Sequence, residues 1–397
     1  MSSPLKGIKI LDLTHMLAGP YGTMVLADLG AEIIKIEPPL KGEITRNLLK
    51  NDPDYSVDGV GAYHLTLGRN KKSLTLDLKS EPGKNIFYQL VKKVDVVIDN
   101  FSSGVTKRLK IDHETLKKHN EKIISCSISG FGEEAESNRP AYDNVIQGVS
   151  GLMSLTGLDQ DHPVKSGVPI SDLSTGLFAI IGILTALRKK DATGMGEKID
   201  ISMLDCQASL LNYIATMHLI SGKDPQPIGN EHPVHAPFNS YKTADGFIIL
   251  SVVHEDFWPN LVKALDLKEL KDEKYQSVDG RSKERTKIDS ILQEIFITNS
   301  TEHWLKILND HRVPCGPVNK LSEVFKDPDL IKRNMVAEVK QPSGEVVKMP
   351  GNPVKIGDNK TEYKSSPELG EHSAEILNTW LGMTEEQIAE LKEENII

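Results

Sequence analysis

The sequence predicts an α/β protein, with a large domain on a parallel sheet and a smaller α+β domain. Short apolar runs alternate with helical stretches over the first 205 residues, the pattern of successive β–α–β units. After Gly222-Lys-Asp-Pro-Gln-Pro227 that alternation gives way to a hairpin and then to amphipathic helices. A chain of 397 residues also exceeds one ordinary core, which favours two domains and allows one to be discontinuous.

Taken in order, Ile8-Lys-Ile-Leu-Asp-Leu13 reads as a strand and Tyr21–Leu29 as a helix stopped by Gly30. Ala31-Glu-Ile-Ile-Lys-Ile36 is a second strand, closed by Glu37-Pro-Pro39. Ser73–Leu78, Asp95–Asp99 and Lys122–Ile128 are further strands, separated by helices at Glu81–Lys93 and His113–His119. Helices are expected at about 142–153, 172–190 and 203–220, with the strand Lys198–Ser202 between the last two. Phe238–Thr243 and Phe247–Val252 flank an Asp-Gly turn as a hairpin, followed by helices near 255–265, 283–298 and 301–311. Two closing helices carry Ser373 and Thr384 as caps. The expected division is 1–205 for the first part of the large domain and 206–227 for a linker helix and loop. The small domain is then 228–325, and 326–397 is the return segment.

Composition narrows the function. A formal net charge of −9 disfavours a nucleic-acid binder. Cys126, Cys206 and Cys315 offer neither a disulfide framework nor a zinc spacing, so reduced thiols in a reducing compartment are expected. The most apolar stretch, 177–187, stops at Arg188-Lys-Lys190, short of a membrane span, and no signal peptide precedes the first strand. A soluble cytoplasmic protein is expected, with a mitochondrial matrix location the alternative only if a presequence is missing from this chain.

Dinucleotide and P-loop chemistry lack their motifs. Thr14-His-Met-Leu-Ala-Gly-Pro20 follows the first strand instead of G-x-G-x-x-G, and Gly194-Met-Gly196 precedes a strand rather than a helix. The histidines, including His232 and His235, are dispersed without metal-ligand spacing, and a G-x-S-x-G elbow is missing. Lys35, Arg46, Arg69-Asn-Lys-Lys72 and Arg108 fall at strand ends or in loops. Each alone reads as solvated, but as a set they suit an anion at the strand ends.

The most informative segment is Val168-Pro-Ile-Ser-Asp172-Leu-Ser-Thr-Gly176, which sets a carboxylate at the mouth of an apolar helix expected to be buried. Asp172 can be a helix N-cap, the more ordinary reading, or a nucleophile whose ionised form the helix start favours.

Several segments together resemble the family III CoA-transferases, the CaiB/BaiF superfamily. They are Thr14–Pro20, Leu29-Gly-Ala-Glu-Ile-Ile-Lys-Ile-Glu-Pro38, Arg69-Asn-Lys-Lys-Ser73, Asp99-Asn-Phe101, Tyr142-Asp143, Ser171–Gly176, Thr193–Gly196, Pro314-Cys-Gly-Pro317 and Leu369-Gly-Glu-His372. Each is weak alone; their order and spacing cover the chain from about residue 5 onward. The resemblance implies a discontinuous Rossmann-like large domain, a small domain, and two chains interlocked like rings in a homodimer. It implies Asp172 as the nucleophile, passing through acyl-aspartyl anhydrides and an aspartyl-CoA thioester. CoA, as substrate with no tightly bound cofactor, would lie against His15, Ala18, Asn70, Lys72, Phe101 and Arg108, with Lys71, Arg46 and Tyr142 as further contacts. Lys72 and Arg108 would take the phosphates.

Leu17 stands where formyl-CoA transferases carry Gln, and their tetraglycine loop has no counterpart near 225–245. Ala141-Tyr-Asp143 and Ser150-Gly-Leu-Met153 are closer to transferases of the succinyl-CoA–glutarate type. The alternative on this scaffold is a 2-methylacyl-CoA racemase, whose second acid/base group would be His. Here that position is Tyr142, a poor base at an ordinary pKa of about 10. A non-catalytic CoA-binding module would tolerate loss of Asp172, and a general nucleotide binder is disfavoured by the missing glycine fingerprint.

Overall fold

The computed structural model describes residues 3–133, 139–357 and 361–397. The chain divides into two compact units. The first comprises Met1–Leu152, Lys165–Lys223 and Ile331–Ile397; the second comprises Met153–Val164 and Asp224–Leu330.

The first unit is built on a parallel six-stranded sheet: β1 (Lys9–Asp12), β2 (Glu32–Glu37), β3 (Lys71–Thr75), β4 (Val96–Asp99), β5 (Ile124–Ser129) and β6 (Lys198–Ser202). Their spatial order is β3-β2-β1-β4-β5-β6. Strand order reverses at β1, where β2 lies on one side and β4 on the other. That is the switch point at which an open α/β sheet leaves a crevice beyond its strand ends.

Alternation along the strands explains how both faces are covered. Ile10, Ile33, Val96 and Ile98 pack on one face against α1 (Ala18–Asp28) and a long helix later in the chain. Leu11, Ile34, Leu74 and Val97 pack on the other against Ile86, Phe87 and Leu90, and against Ile376 and Leu377 of the closing segment. The return is bonded to the sheet edge: His372 N donates to Ser73 O and Thr75 N donates to Ser373 Oγ. Ser373 is therefore not the cap expected from sequence but the first helical residue after His372. Thr384 does cap its helix, with Gln387 completing a capping box.

Strand β3 lies two residues earlier than expected at its start and three at its end. Leu76–Lys79 therefore leaves the sheet rather than continuing it. Three further helices matter for the site: α2 (Asp143–Val149), α3 (Ile170–Thr193) and α4 (Met203–Leu210). At 24 residues α3 is long and apolar enough to span a bilayer by length and composition, but half of that window is buried in the protein. The expectation of all-round burial is not met either. Ser174, Gly176, Ala179, Ile183 and Ala186 face the core, while Leu177 is 46% and Ile181 58% exposed. The small residues belong to the inward face because α1 crosses there at close range. A Cβ on Gly176 would sit 2.5 Å from Ala18 O, and one on Gly22 3.0 Å from Gly176 O.

In the second unit, β7 (Phe238–Lys242) and β8 (Phe247–Ser251) form the expected hairpin, and β9 (Cys315–Pro317) adds to its free edge. Tyr241, Ile248, Leu250, Trp258, Leu292 and Phe296 form its core. Arg281 is fully buried there, donating to Ala236 O and Tyr275 O and paired with Glu255.

Candidate active site

The end of β1 is fixed by a buried charge cluster. Asp12 accepts hydrogen bonds from Thr14 N (2.9 Å) and Thr23 Oγ1 (2.6 Å), and pairs with Lys35 (3.2 Å) and Lys71 (3.1 Å). Burial alone would raise this carboxyl; the two ammonium groups and the hydroxyls outweigh it and hold it far below the usual carboxylate range. From this anchor the chain makes the turn Leu13–Leu17 into α1. Met16, at φ 63°, occupies the left-handed region, and its N–H donates to Glu43 Oε1 at 2.8 Å. Glu43 N in turn donates to Glu37 Oε2 (2.9 Å). Burial would raise Glu43, but hydrogen bonds from His64, Thr45 and Met16 N and the charge of Lys35 bring it down to about 2.

A second group forms at the start of α3. The cap expected of Asp172 is supplied by another residue. Pro169 is the N-cap and has no side-chain oxygen to accept from the first turn, whereas Asp143 Oδ1 accepts from Ser171 N (2.8 Å) and Asp172 N (3.4 Å). Asp143 Oδ2 accepts from Gln147 Nε2 (2.7 Å), and Gln147 Oε1 accepts from Ser166 N (2.8 Å), which locks that orientation. The Asp172 carboxyl is thus left without a hydrogen bond among the described residues. Burial first, and then the Asp143 carboxylate, push it up to about 7. The expected preference of the helix start for its ionised form is overridden. Tyr63 lies in the field of the same acids: burial, then Asp172, Glu43 and Asp143, raise its phenol to about 12.

These two groups meet in one place. A cavity of about 210 Å³ is lined by the His15–Ala18 turn, Asn100, Phe101, Arg139, Tyr142, Met203 and Asp172. A neighbouring cavity of about 430 Å³ shares His15, Met16, Phe101 and Tyr142 as walls and continues past Leu13, Pro38, Leu76, Leu78, Lys79 and Leu109. The pair lies at the carboxyl ends of β1 to β4, with Asp172 on the wall of the smaller cavity and Leu13, Ile36, Leu76, Leu78 and Leu109 among the walls of the larger.

Of the residues singled out from sequence, His15, Ala18, Phe101, Tyr142 and Asp172 converge on these cavities. His15 and Phe101 rings lie 5.3 Å apart, and burial, then Lys35, lower the imidazole. Arg108 is exposed on the short helix Val105–Leu109, whose Leu109 lines the larger cavity. Four others lie elsewhere. Arg46 is spent on both oxygens of Glu37 (2.6 and 2.7 Å) and on Pro367 O. Asn70 donates to Asp28 and accepts from Lys364 N. Lys71 is sealed against Asp12, Pro20 O and Thr23. Lys72 pairs with Glu32 and Glu375.

The physical reason is strand polarity. Asn70–Lys72 enter β3 at its amino end, whereas the crevice lies beyond the carboxyl end. The basic residue delivered there is Lys79, four residues past Thr75. Reading which end of the strand each lysine occupies would have found it. Glu43 and Tyr63 carried no sequence signal, and Asn100 only its place in the Asp99-Asn-Phe101 segment; their contacts are long-range.

Comparison with known proteins agrees with this geometry. Residues 5–373 match the model of CoA-transferase family III. The human succinyl-CoA:glutarate CoA-transferase is 36% identical, over 99% of this chain and 90% of its own length. The acetyl-CoA:oxalate CoA-transferase of Acetobacter aceti is 35% identical, over 94% and 95%. A CaiB/BaiF family protein from Brucella suis superimposes with a TM-score of 0.84 at 35% identity, covering 96% of this chain and all of its own. With its parallel sheet, its cavity at the switch point and a family match across most of its length, the chain belongs to CoA-transferase family III.

Proposed function

We propose that this enzyme moves CoA from a donor such as succinyl-CoA to a small dicarboxylic acid, with Asp172 as the nucleophile. The observation that carries this reading is the Asp172 carboxyl itself. It lines a cavity, is spared from capping by Asp143, and that cavity shares His15, Met16, Phe101 and Tyr142 with a second one of about 430 Å³. Burial and then Asp143 raise its pKa to about 7, so the attacking carboxylate forms as pH rises through the neutral range.

In the first step an Asp172 oxygen bonds to the thioester carbon and the C–S bond breaks, giving an acyl-aspartyl anhydride and CoA thiolate. The thiolate attacks the aspartyl carbonyl and expels the donor acid, leaving an aspartyl-CoA thioester. The acceptor carboxylate attacks that carbonyl and expels CoA thiolate, giving a second anhydride; the thiolate then attacks the acceptor acyl carbon, and the Asp172 carboxylate leaves. One thioester replaces another, so the exchange is nearly balanced. Pro20 has no N–H and Tyr21 N is spent on Leu17 O, so the N–H groups of Ala18 and Gly19 at the start of α1 are the ones suited to the oxyanions. His15, Phe101 and Tyr142 would flank the CoA arm, and Lys79 and Arg108 would meet its phosphates.

A homodimer accounts for the bare apolar stripe of α3, continued by Leu210, Tyr213, Met217 and Ile220. The three free cysteines accord with a cytoplasmic setting. The test is incubation in heavy water with succinyl-CoA, a 2-methylacyl-CoA and a pool of mono- and dicarboxylic acids, every CoA ester being read by mass spectrometry. New undeuterated esters of dicarboxylic acids are expected. Deuterium entering the 2-methylacyl-CoA without new esters would overturn the reading.

A further inference from the structure

We propose that Asn100 is a positioning residue for transfer. Its side-chain amide clamps the His15 peptide and so holds the left-handed turn at Met16 that aims the start of α1 into the Asp172 cavity. Asn100 Oδ1 accepts from His15 N at 2.9 Å, and Asn100 Nδ2 donates to His15 O at 2.7 Å. Donor and acceptor are both spent on one residue's backbone, copying the two-way pairing of a strand neighbour. The next residue, Met16, has φ 63°, a conformation that an L side chain adopts only at a cost and keeps only when its surroundings impose it. Glu43 takes Met16 N from the other side, so the turn is gripped at consecutive residues from two loops.

The clamp is rooted in the sheet. Asn100 follows β4 directly, and the preceding Asp99 accepts from Ser127 Oγ (2.8 Å) and Phe101 N (3.2 Å). The position of the turn is thereby referred to the strand ends rather than to a free loop. Downstream, Leu17 and Ala18 line the cavity that Asp172 faces, and α1 crosses α3 in backbone contact at Gly22 and Gly176. Without the clamp, Met16 gains by relaxing toward negative φ. The peptide planes leading into α1 then rotate, and its first N–H groups leave the place where charge develops. Misplacement by about 1 Å costs on the order of 10²-fold in rate.

The inference rests on Asp172 as nucleophile, and the experiment separates the two. Asn100→Ala is expected to lower kcat by about 10- to 100-fold, with KM for the CoA ester within about threefold of wild type. In a Met16→Gly background the same change should cost several-fold less, because glycine reaches positive φ without help. Asn100→Asp keeps the shape and the acceptor but loses the donor; it should show the same kcat loss and serves if the alanine variant does not fold. An unchanged kcat in a folded variant overturns the inference. So does a loss confined to KM, which would make Asn100 a substrate contact, or an equal loss in both backgrounds. Asp172→Asn is run alongside: transfer surviving there sinks the nucleophile, whereas a dead Asp172→Asn beside a fully active Asn100→Ala sinks only the clamp.

Discussion

Replacing the Asp172 carboxylate by the isosteric amide, Asp172→Asn, should abolish transfer and, above neutral pH, make the protein more stable. In the folded protein this carboxyl is raised from 3.8 to about 7, by burial and then by Asp143. Between those two values the folded state binds a proton that the unfolded state has released, so its contribution to stability falls as pH rises through that window. The rise of about 3 units, at 1.36 kcal/mol each, gives a penalty of roughly 4 kcal/mol, complete above pH 7 and vanishing below pH 4. The amide carries no charge and escapes it. Urea titrations of both proteins at pH 5, 6, 7 and 8, read by tryptophan fluorescence, should show a stability gain for Asp172→Asn that grows with pH and levels off above 7. A difference between the two proteins that is flat across this range would refute the claim that Asp172 is held in an environment hostile to its own charge.

The same titration governs the rate. As the attacking form is the carboxylate, kcat/KM for the donor ester should rise with pH through about 7 and then plateau, a profile checked by initial rates at saturating acceptor. Lys79→Ala should raise KM for CoA esters well beyond its effect on kcat. Lys72→Ala should leave both within about threefold, because its partly exposed pairs with Glu32 and Glu375 are worth about 0–1 kcal/mol; steady-state kinetics on the two variants decide. Ile181→Asp, on the bare stripe of α3, should convert a dimer into monomers by light scattering, and an unchanged mass would place the subunit contact elsewhere.

Local pattern determined much of this protein. The alternation of Ile10/Leu11, Ile33/Ile34 and Val96/Val97 announces strands covered on both faces, and the order of short motifs from Thr14 to His372 announces the family. Asp172 stands out because a carboxylate beside so apolar a helix is costly unless it is paired. What local pattern could not supply is direction and partnership. Lys71 and Lys72 look like Lys79 on the page. Only the parallel sheet, with its crevice at the carboxyl ends of the strands, sends the first two away from the cavity and the third into it. Asp172 has the composition of a cap, yet Asp143, 29 residues earlier, takes that role because α2 brings it to the two N–H groups. The hold on His15 by Asn100 and on Met16 by Glu43 joins three loops that are adjacent only once β1, β2 and β4 are paired. Hydrophobic periodicity is a property of neighbours in sequence and survives in the sequence alone. Charge compensation and loop anchoring act across the sheet, between residues tens of positions apart, and exist only when the chain has folded.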